Sequence, residues 1–272
     1  MATERVLVLG AGHVVGPAVQ YLTREPRTSV TVVSQFQEEL DNIKQKFPGV
    51  HTVQMDLSLG YSELERHLDN HDIVISLLPC HFHPDIAKLC IQHKKSMLTA
   101  SYVSPEMKEL HHVAKEAGIT ILNEVGLDPG IDHMLAIQCI DEVQKAGGKI
   151  TSFSSYCGGL PAPENNDTPL LYKFSWYPKG ALMNLMSSAK YLKNGSIVEV
   201  PGKGGLLDAV ENLTFMPGLN LEGFPNRDST VYATEYGIES AHTIYRGTIR
   251  YKKIVISYSI VLLRVRLKLL KV

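Results

Sequence analysis

The chain has 272 residues and a formal net charge of −1, with 44% hydrophobic and 20% charged residues. This length suits one large domain or two, and the composition is that of a globular protein with a buried core. The balanced charge and the 7% aromatic content argue against nucleic-acid binding, which needs a positive field and stacking rings. The first residues lead directly into a strand, so we expect no signal peptide, and no apolar run is long enough to span a membrane. With only four cysteines, none in CxxC spacing, we expect a reducing, cytoplasmic location.

Apolar strands alternate with helices over the first 125 residues. Buried strands alternating with helices of this length predict a parallel sheet covered on both faces, an α/β fold of the doubly wound Rossmann type. The predicted strands are residues 5–9, 30–33, 53–55, 73–78, 96–99 and 119–122, and the predicted helices are residues 14–22, 38–46, 84–93 and 105–117.

The pattern changes near residue 130. An amphipathic helix over residues 131–145 and a strand over 152–157 are followed by a long polar loop, and the regular alternation is then lost. We therefore predict a dinucleotide-binding domain over residues 1–130 and a second, incomplete α/β domain over 131–252. Residues 253–272 form a divergent tail, rich in Ile, Val and Leu with interspersed Lys and Arg, that reads as an edge strand or a disordered segment.

A glycine-rich turn follows the first predicted strand. Gly10 allows a tight strand-to-helix turn, Gly12 lets the backbone approach a diphosphate, and the helix that follows offers free N–H groups to phosphate. The third position of the usual fingerprint is Val15, with Gly16 one residue later. The context favours dinucleotide binding over a purely structural turn.

The end of the second strand usually selects the dinucleotide, through an acid for NAD or a base for NADP. Here residues 34–37 read Ser-Gln-Phe-Gln and carry neither signal. The missing basic residue favours NAD mildly and leaves NADP open. Asp56, after the third strand, is placed to accept a hydrogen bond from the adenine amino group or to cap a loop.

Polar side chains follow three further strands, within residues 77–83, 100–102 and 124–130. Ligands of open α/β sheets bind at the carboxyl ends of the strands, so these groups should share one edge. Asp128 is a catalytic candidate or a helix cap, and Tyr102 a catalytic candidate or a packing residue. His81 and His83 lack further ligands at suitable spacing, so no metal site is expected. The predicted cofactor contacts are Gly10, Gly12, His13, Val14, Ser34, Asp56, Leu78, Ala100, Ser101, Leu127, Asp128 and Pro129.

Five segments carry a resemblance to a known family. They are residues 127–133 (LDPGIDH), 155–164 (SYCGGLPAPE), 172–176 (YKFSW), 225–229 (PNRDS) and 246–251 (RGTIRY). Over about residues 3–252 the chain resembles the glutamate-forming saccharopine dehydrogenases, and within them it is most similar to the dehydrogenase half of the bifunctional animal enzymes of lysine degradation.

The resemblance implies a variant Rossmann domain followed by an α/β domain for substrate binding and dimerisation. It implies oxidation of saccharopine by NAD or NADP to L-glutamate and 2-aminoadipate 6-semialdehyde. It further implies a homodimer and, if the chain derives from the animal enzyme, a mitochondrial location and fusion to a lysine-ketoglutarate reductase half. Saccharopine is the expected partner, with no nucleic acid and no membrane.

The resemblance also assigns residues. Asp128, Cys157 and Tyr102 line the reaction centre, with Asp128 as the general acid–base, while Cys157 relays a proton or merely packs. Planar arginine side chains suit the substrate's carboxylates. Arg227 and Arg250 are the arginines expected to bind these carboxylates, and Arg246 is a weaker third candidate. A structural salt bridge remains the alternative for all three. The substrate contacts implied are Ser101, Tyr102, Arg227, Thr248, Ile249 and Arg250.

The family pattern breaks after Lys252, where a long continuation is expected. Two functions therefore remain open from the sequence. The chain is a saccharopine dehydrogenase, or it is an inactive dinucleotide-binding fragment or a subunit that pairs with a full-length enzyme. Turnover of saccharopine by the purified chain distinguishes them.

Overall fold

The computed structural model describes residues 4–168, 171–176 and 178–252. The chain divides into two compact units, Met1–Ile131 and Asp132–Val272, here called unit 1 and unit 2. The predicted tail from residue 253 lies outside the described residues.

Unit 1 is built on a six-stranded sheet in the order β3-β2-β1-β4-β5-β6, and every pair in it is parallel. This strand order reverses direction next to β1 and is that of the doubly wound dinucleotide-binding fold, which confirms the predicted fold class. Its elements are β1 (Glu4–Leu9), α1 (Val15–Leu22), β2 (Thr28–Ser34), α2 (Gln37–Lys46), β3 (His51–Gln54), α3 (Ser62–Asp69), β4 (Ile73–Ser76), α4 (His83–Gln92), β5 (Ser96–Thr99), α5 (Pro105–Glu109), α6 (His111–Glu116) and β6 (Ile121–Leu122).

Both faces of this sheet are buried. Side chains of β1 alternate between the two faces, so the strand contributes to a core on each side. Leu7 and Leu9 belong to a core that includes residues of α3 and α4. Val6 and Val8 belong to a second core with α1 and α2. The continuous apolar strand of the sequence is therefore a strand covered by helices on both sides.

Several predicted elements of unit 1 are shorter than expected, among them the strand predicted over residues 73–78, which ends at Ser76. The helix predicted over residues 105–117 is divided at Leu110 into α5 and α6. The strand predicted over 119–122 pairs only at Ile121 and Leu122, because the backbone N–H of Ile119 bonds to the carbonyl of Ala114 at 3.2 Å and so completes the end of α6.

Unit 2 contains a sheet in the order β10-β11-β12-β8-β9, with β7 parallel to β12 and the other pairs antiparallel. The predicted helix over 131–145 and strand over 152–157 have the predicted bounds. The elements are α7 (Ile131–Lys145), β7 (Ser152–Cys157), α8 (Pro178–Asn184), β8 (Ala189–Lys193), β9 (Ser196–Val200), α9 (Gly205–Asp208), β10 (Glu211–Leu213), β11 (Leu221–Pro225), α10 (Tyr232–Glu235) and β12 (Thr243–Tyr251).

The long strand β12 is the centre of unit 2. Ile244 packs in a core with residues of α7 and α10, whereas Tyr245 and Ile249 belong to a second core with β8 and β11. Gly247 lies under the ring of Tyr156, where a Cβ atom would stand 2.8 Å from a ring carbon. Among the described residues, no helix combines the length and the apolar character needed to cross a membrane.

Candidate active site

The turn between β1 and α1 leaves room for a diphosphate. Gly10 has a φ of +101°, and a Cβ atom there would lie 3.3 Å from the backbone of Leu77. At Gly12, by contrast, a Cβ atom would meet no heavy atom within 4 Å. No side chain caps the first turn of α1. The turn thus presents an open surface beside a helix N-terminus, which fits the phosphates of a dinucleotide.

The predicted contacts that follow β1, β4, β5 and β6 lie along one edge of the sheet, as the strand order requires. A Cβ atom on Gly10 would lie 3.5 Å from Leu78, and one on Gly126 would lie 3.3 Å from Ala100. The N–H of Gly126 donates to the carbonyl of Pro129 at 2.9 Å, which closes the loop that carries Asp128.

Tyr102 and Asp128 meet at this edge. The hydroxyl of Tyr102 donates to Oδ1 of Asp128 at 2.5 Å, although the two residues follow different strands. Sequence reasoning placed both residues at one edge and left packing and capping open as alternatives. The structure joins a phenol and a carboxylate, which is a pair able to hold and move a proton.

An acid that sequence reasoning missed lies against the end of β2. Ser34 is buried, its hydroxyl donates to Oε2 of Glu39 at 2.5 Å, and it accepts from the N–H of Phe36 at 3.2 Å. Glu39 lies in the first turn of α2, beyond residues 34–37, where the acid or base that selects the dinucleotide is expected. Its position close to β2 depends on the turn between the two elements, which a motif search does not see.

Asp56 acts as a cap in the structure. Its Oδ1 accepts from the N–H of Ser58 at 2.9 Å and from the Ser58 hydroxyl at 2.6 Å, at the start of a short 3-10 turn. These bonds hold the pKa of the Asp56 carboxyl below its usual value. The capping alternative is therefore present, and contact with adenine stays a prediction.

In unit 2 three of the predicted substrate residues, Thr248, Ile249 and Arg250, lie on β12. Thr248 pairs in register with Cys157 of β7 and with Phe224 of β11. Arg250 lies two residues further along and pairs in register with the buried Glu222. Because alternate residues of a strand share a face, Thr248 and Arg250 face the same way, while Ile249 faces the opposite core.

Arg250 is held against its surroundings by two contacts. Its Nη1 donates to the carbonyl of Ile249 at 2.7 Å, and its guanidinium carbon lies 4.9 Å from the ring centroid of Tyr172. A Cβ atom on Gly158 would come within 2.7 Å of Nη1, so only glycine fits at that position. The motifs that contain Tyr172 and Gly158 therefore meet at Arg250.

The other two arginines differ sharply in burial. Arg227 is exposed just after β11, in the left-handed region at φ +55°, and its carbonyl accepts from the N–H of Lys190 at 2.8 Å. Arg246 is only 4% exposed and bonds to the Asp132 carboxylate and the Tyr232 hydroxyl. Arg246 is thus in the structural salt bridge that sequence reasoning kept as its alternative.

His83 and His133 make hydrogen bonds to neighbouring hydroxyl groups of the fold. His83 is buried, and both of its ring nitrogens lie 3.3 Å from the hydroxyl of Thr99. His133 at the start of α7 shares a hydrogen bond of 2.5 Å with the hydroxyl of Tyr236. Within the described ranges, no group of three or more His, Cys, Asp or Glu side chains is arranged to hold a metal ion.

Both parts of the chain match families of known proteins. Residues 6–122 match the family described as the saccharopine dehydrogenase NADP binding domain, and residues 126–268 match the saccharopine dehydrogenase C-terminal domain. The chain belongs to the saccharopine dehydrogenase family.

Relatives are found in animals and fungi. The mitochondrial alpha-aminoadipic semialdehyde synthase of Rattus norvegicus is 50% identical over 92% of this chain and 27% of its own length. The NADP(+), L-glutamate-forming saccharopine dehydrogenase of Schizosaccharomyces pombe is 44% identical over 91% of this chain and 54% of its own length. The apo L-Glu-forming saccharopine dehydrogenase of Saccharomyces cerevisiae superposes with a TM-score of 0.83 at 42% identity, covering 93% of this chain and 56% of that one.

The chain therefore spans about half the length of its fungal relatives and about a quarter of the animal one. NADP, which the sequence left open beside NAD, is the dinucleotide that the family match and the fungal relatives support. The mild preference for NAD that residues 34–37 suggested has no support from these comparisons.

Proposed function

We propose that this chain is a saccharopine dehydrogenase, which oxidises saccharopine with NADP or NAD to L-glutamate and 2-aminoadipate 6-semialdehyde. The observation that carries the proposal is the bond from Tyr102 to Asp128 at the strand-end edge of a unit that belongs to an NADP-binding family. At this edge of an open α/β sheet, acid–base groups stand beside the place where the dinucleotide binds.

The reaction sets requirements for the residues of the site. Saccharopine is a secondary amine that carries carboxylates, and a bound dinucleotide supplies the acceptor for the hydride from the carbon next to nitrogen. The amine proton must leave, water must add to the resulting C=N bond, and the C–N bond must then break. Each of these steps moves a proton, so a positioned acid–base group contributes to all of them.

Asp128 is the acid–base group in this proposal. Its carboxylate takes the amine proton and later assists the attack of water, and the hydroxyl of Tyr102 fixes the carboxylate through the hydrogen bond at Oδ1. Cys157, in register with Thr248, is the candidate proton relay in unit 2. No covalent bond to the enzyme is needed for hydride transfer or for hydrolysis, so Cys157 does not act as a nucleophile.

Arg250 and Arg227 of unit 2 bind the carboxylates of the substrate. Arg250 is half-buried, and its planar guanidinium is held by the ring of Tyr172 and by the carbonyl of Ile249. A guanidinium held in place loses less side-chain entropy when it binds a carboxylate in two-point fashion. Arg227, exposed after β11, is the second such cation.

The remaining assignments follow from the family. Residues 1–130 bind the dinucleotide and residues 131–252 bind the substrate. For the full-length protein we propose a homodimer. If it is the animal type, it is also fused to a lysine-ketoglutarate reductase half and mitochondrial, the location that the rat relative carries in its name.

Incubation of the purified chain with saccharopine and either dinucleotide tests the proposal, through the absorbance of the reduced nicotinamide and the release of glutamate. Stoichiometric formation of both products supports it. Dinucleotide binding without turnover favours the second function, an inactive fragment or partner subunit, which then should change the activity of an added full-length enzyme. Binding of neither dinucleotide contradicts both functions.

A further inference from the structure

We propose that Glu39 reads the 2′ position of the adenosine ribose and so sets the ratio of the affinities for NAD and NADP. The proposal rests on the dinucleotide binding proposed above and names the side chain that determines its specificity. It concerns the ratio of the two affinities and not the exclusion of either dinucleotide.

The position of Glu39 is the first argument. In doubly wound folds, an acid about 20 residues beyond the glycine turn lies at the end of the second strand and bonds to the ribose. No acid occurs in residues 34–37, yet Glu39 is brought to that strand end by its bond to Ser34, the last residue of β2. A carboxylate is therefore held against the end of β2, the strand end at which the ribose acid of these folds lies, although it comes from a helix and from further along the chain.

The hold on Glu39 is the second argument. The Ser34 hydroxyl is buried, it donates to Oε2 of Glu39 at 2.5 Å, and it is itself oriented by the N–H of Phe36 at 3.2 Å. A carboxylate fixed in this way is preorganised, so that a ligand does not have to immobilise it on binding. The bond uses one oxygen, and a carboxylate accepts at two.

The charges are the third argument. A carboxylate accepts a hydrogen bond from the 2′-hydroxyl of NAD and repels the 2′-phosphate of NADP. Residues 34–37 contain no Lys or Arg that would offset this repulsion. Removal of the charge at Glu39 therefore lowers the affinity for NAD and raises the affinity for NADP.

A purely structural role for Glu39 predicts a different outcome. An acid in the first turn of a helix stabilises the helix through its favourable interaction with the helix dipole. The exposed Glu38 lies in the same turn of α2. Both acids would share an effect of the dipole, and this effect would change the stability of the chain without changing the ratio of the affinities for NAD and NADP. Glu38→Gln is therefore a matched control with the same change of charge on the same helix.

The test is isothermal titration of the whole purified chain with NAD and with NADP, for wild type, Glu39→Gln, Ser34→Ala and Glu38→Gln. We expect Glu39→Gln to shift the ratio of dissociation constants toward NADP by about tenfold or more, because a hydrogen bond to a charged group is lost and a repulsion is removed. Ser34→Ala should shift the ratio in the same direction by less, and Glu38→Gln should leave it unchanged.

The outcomes separate this inference from the function on which it rests. If wild type binds a dinucleotide and the ratio is the same in Glu39→Gln, or shifts equally in Glu38→Gln, the inference is overturned while the proposed function stands. If wild type binds neither dinucleotide, both are overturned. Unfolding curves of each variant exclude loss of the fold as the cause of a changed ratio.

Discussion

The hydroxyl of Tyr102 donates a hydrogen bond of 2.5 Å to Oδ1 of Asp128, although 26 residues separate them in the chain. Tyr102 follows β5 and Asp128 lies in the loop between β6 and α7, so neighbouring strands bring the pair together. The hydrogen bond restricts the carboxylate to one orientation and ties its proton to that of the phenol. Both predictions at this pair follow from that link.

Asp128→Asn should lower kcat by about 10²–10⁴, because the amide keeps the shape and removes the titrating group. The affinity for the dinucleotide should change little, since the phosphates lie at Gly10 and Gly12. Steady-state kinetics over a range of pH, with titration of the cofactor, measures both. Tyr102→Phe should lower kcat less, because it keeps the carboxylate and removes only the hydrogen bond. Near-normal kcat and an unchanged pH profile in Asp128→Asn would assign Asp128 to capping, since Asn caps about as well as Asp.

Arg250→Ala should raise the KM for saccharopine roughly 10- to 150-fold, the range expected for the loss of a hydrogen bond to a charged group. Arg250→Lys keeps the charge and loses the planar fork, so its KM should lie between those of wild type and the alanine variant. Arg227→Ala should raise KM in the same way. Arg66→Ala, an exposed arginine on α3 in the other unit, is the control. An unchanged KM in both Arg250→Ala and Arg227→Ala would remove the arginines from substrate binding.

Sequence patterns predicted the elements whose boundaries are set locally. Helix α7 and strand β7 have the predicted bounds, because apolar spacing and the glycines after Lys145 define them without help from the rest of the chain. Strand β6 was predicted too long, because its length depends on pairing with β5 and on the end of α6. Such long-range pairing is not written in a local pattern.

The same distinction holds for the candidate site. The sequence placed Tyr102 and Asp128 at one sheet edge, but only the structure shows that their side chains meet. Arg246 and Arg250 lie in one motif and on one face of β12, and the sequence does not show how deeply each is buried. In the structure Arg246 is buried and forms a salt bridge, whereas Arg250 is half-buried and is the candidate for substrate binding. Glu39 was missed because its contact with Ser34 crosses a turn.

Gly12→Val should abolish dinucleotide binding without destabilising the chain. The added side chain enters space that is open in the structure, where a Cβ atom meets nothing within 4 Å, and this is the space that the diphosphate needs. Gly10→Val should instead reduce the free energy of unfolding by about 1–3 kcal/mol, because its φ of +101° disfavours a side chain. Titration calorimetry and urea unfolding separate the two effects. Gly49→Val, also in open space, is the control. Equal dinucleotide binding by Gly12→Val and wild type would contradict the placement of the diphosphate at Gly12.

Arg246→Met should destabilise the chain by about 3–5 kcal/mol, because it leaves the buried carboxylate of Asp132 without its cation. Adding Asp132→Asn removes that stranded charge, so the double variant should unfold at a higher denaturant concentration than Arg246→Met alone. Urea unfolding of the single and double variants measures this coupling. Additive losses would show that the two side chains do not act as a buried pair.

His83 should make unit 1 less stable in mild acid. Burial, the largest cause, lowers the pKa of His83 to about 4 from 6.5, against a smaller raising effect of the Leu78 backbone and with a further lowering by His81. The unfolded chain therefore binds the proton first as the pH falls. The stability due to neutral His83 is complete above about pH 6.5 and declines as the pH falls toward 4, by up to about 3 kcal/mol.

Replacement of the ring isolates this contribution from that of the other acids and histidines. His83→Gln removes the titrating group, so its free energy of unfolding should fall less than that of wild type between pH 7 and the pKa of about 4. His51→Gln, on an exposed position of β3, should retain the wild-type slope. Urea unfolding at a series of pH values gives the three slopes. Equal slopes for wild type and His83→Gln would mean that His83 takes up its proton in the folded chain as readily as in the unfolded one, so that the close packing around Thr99 does not exclude the charge.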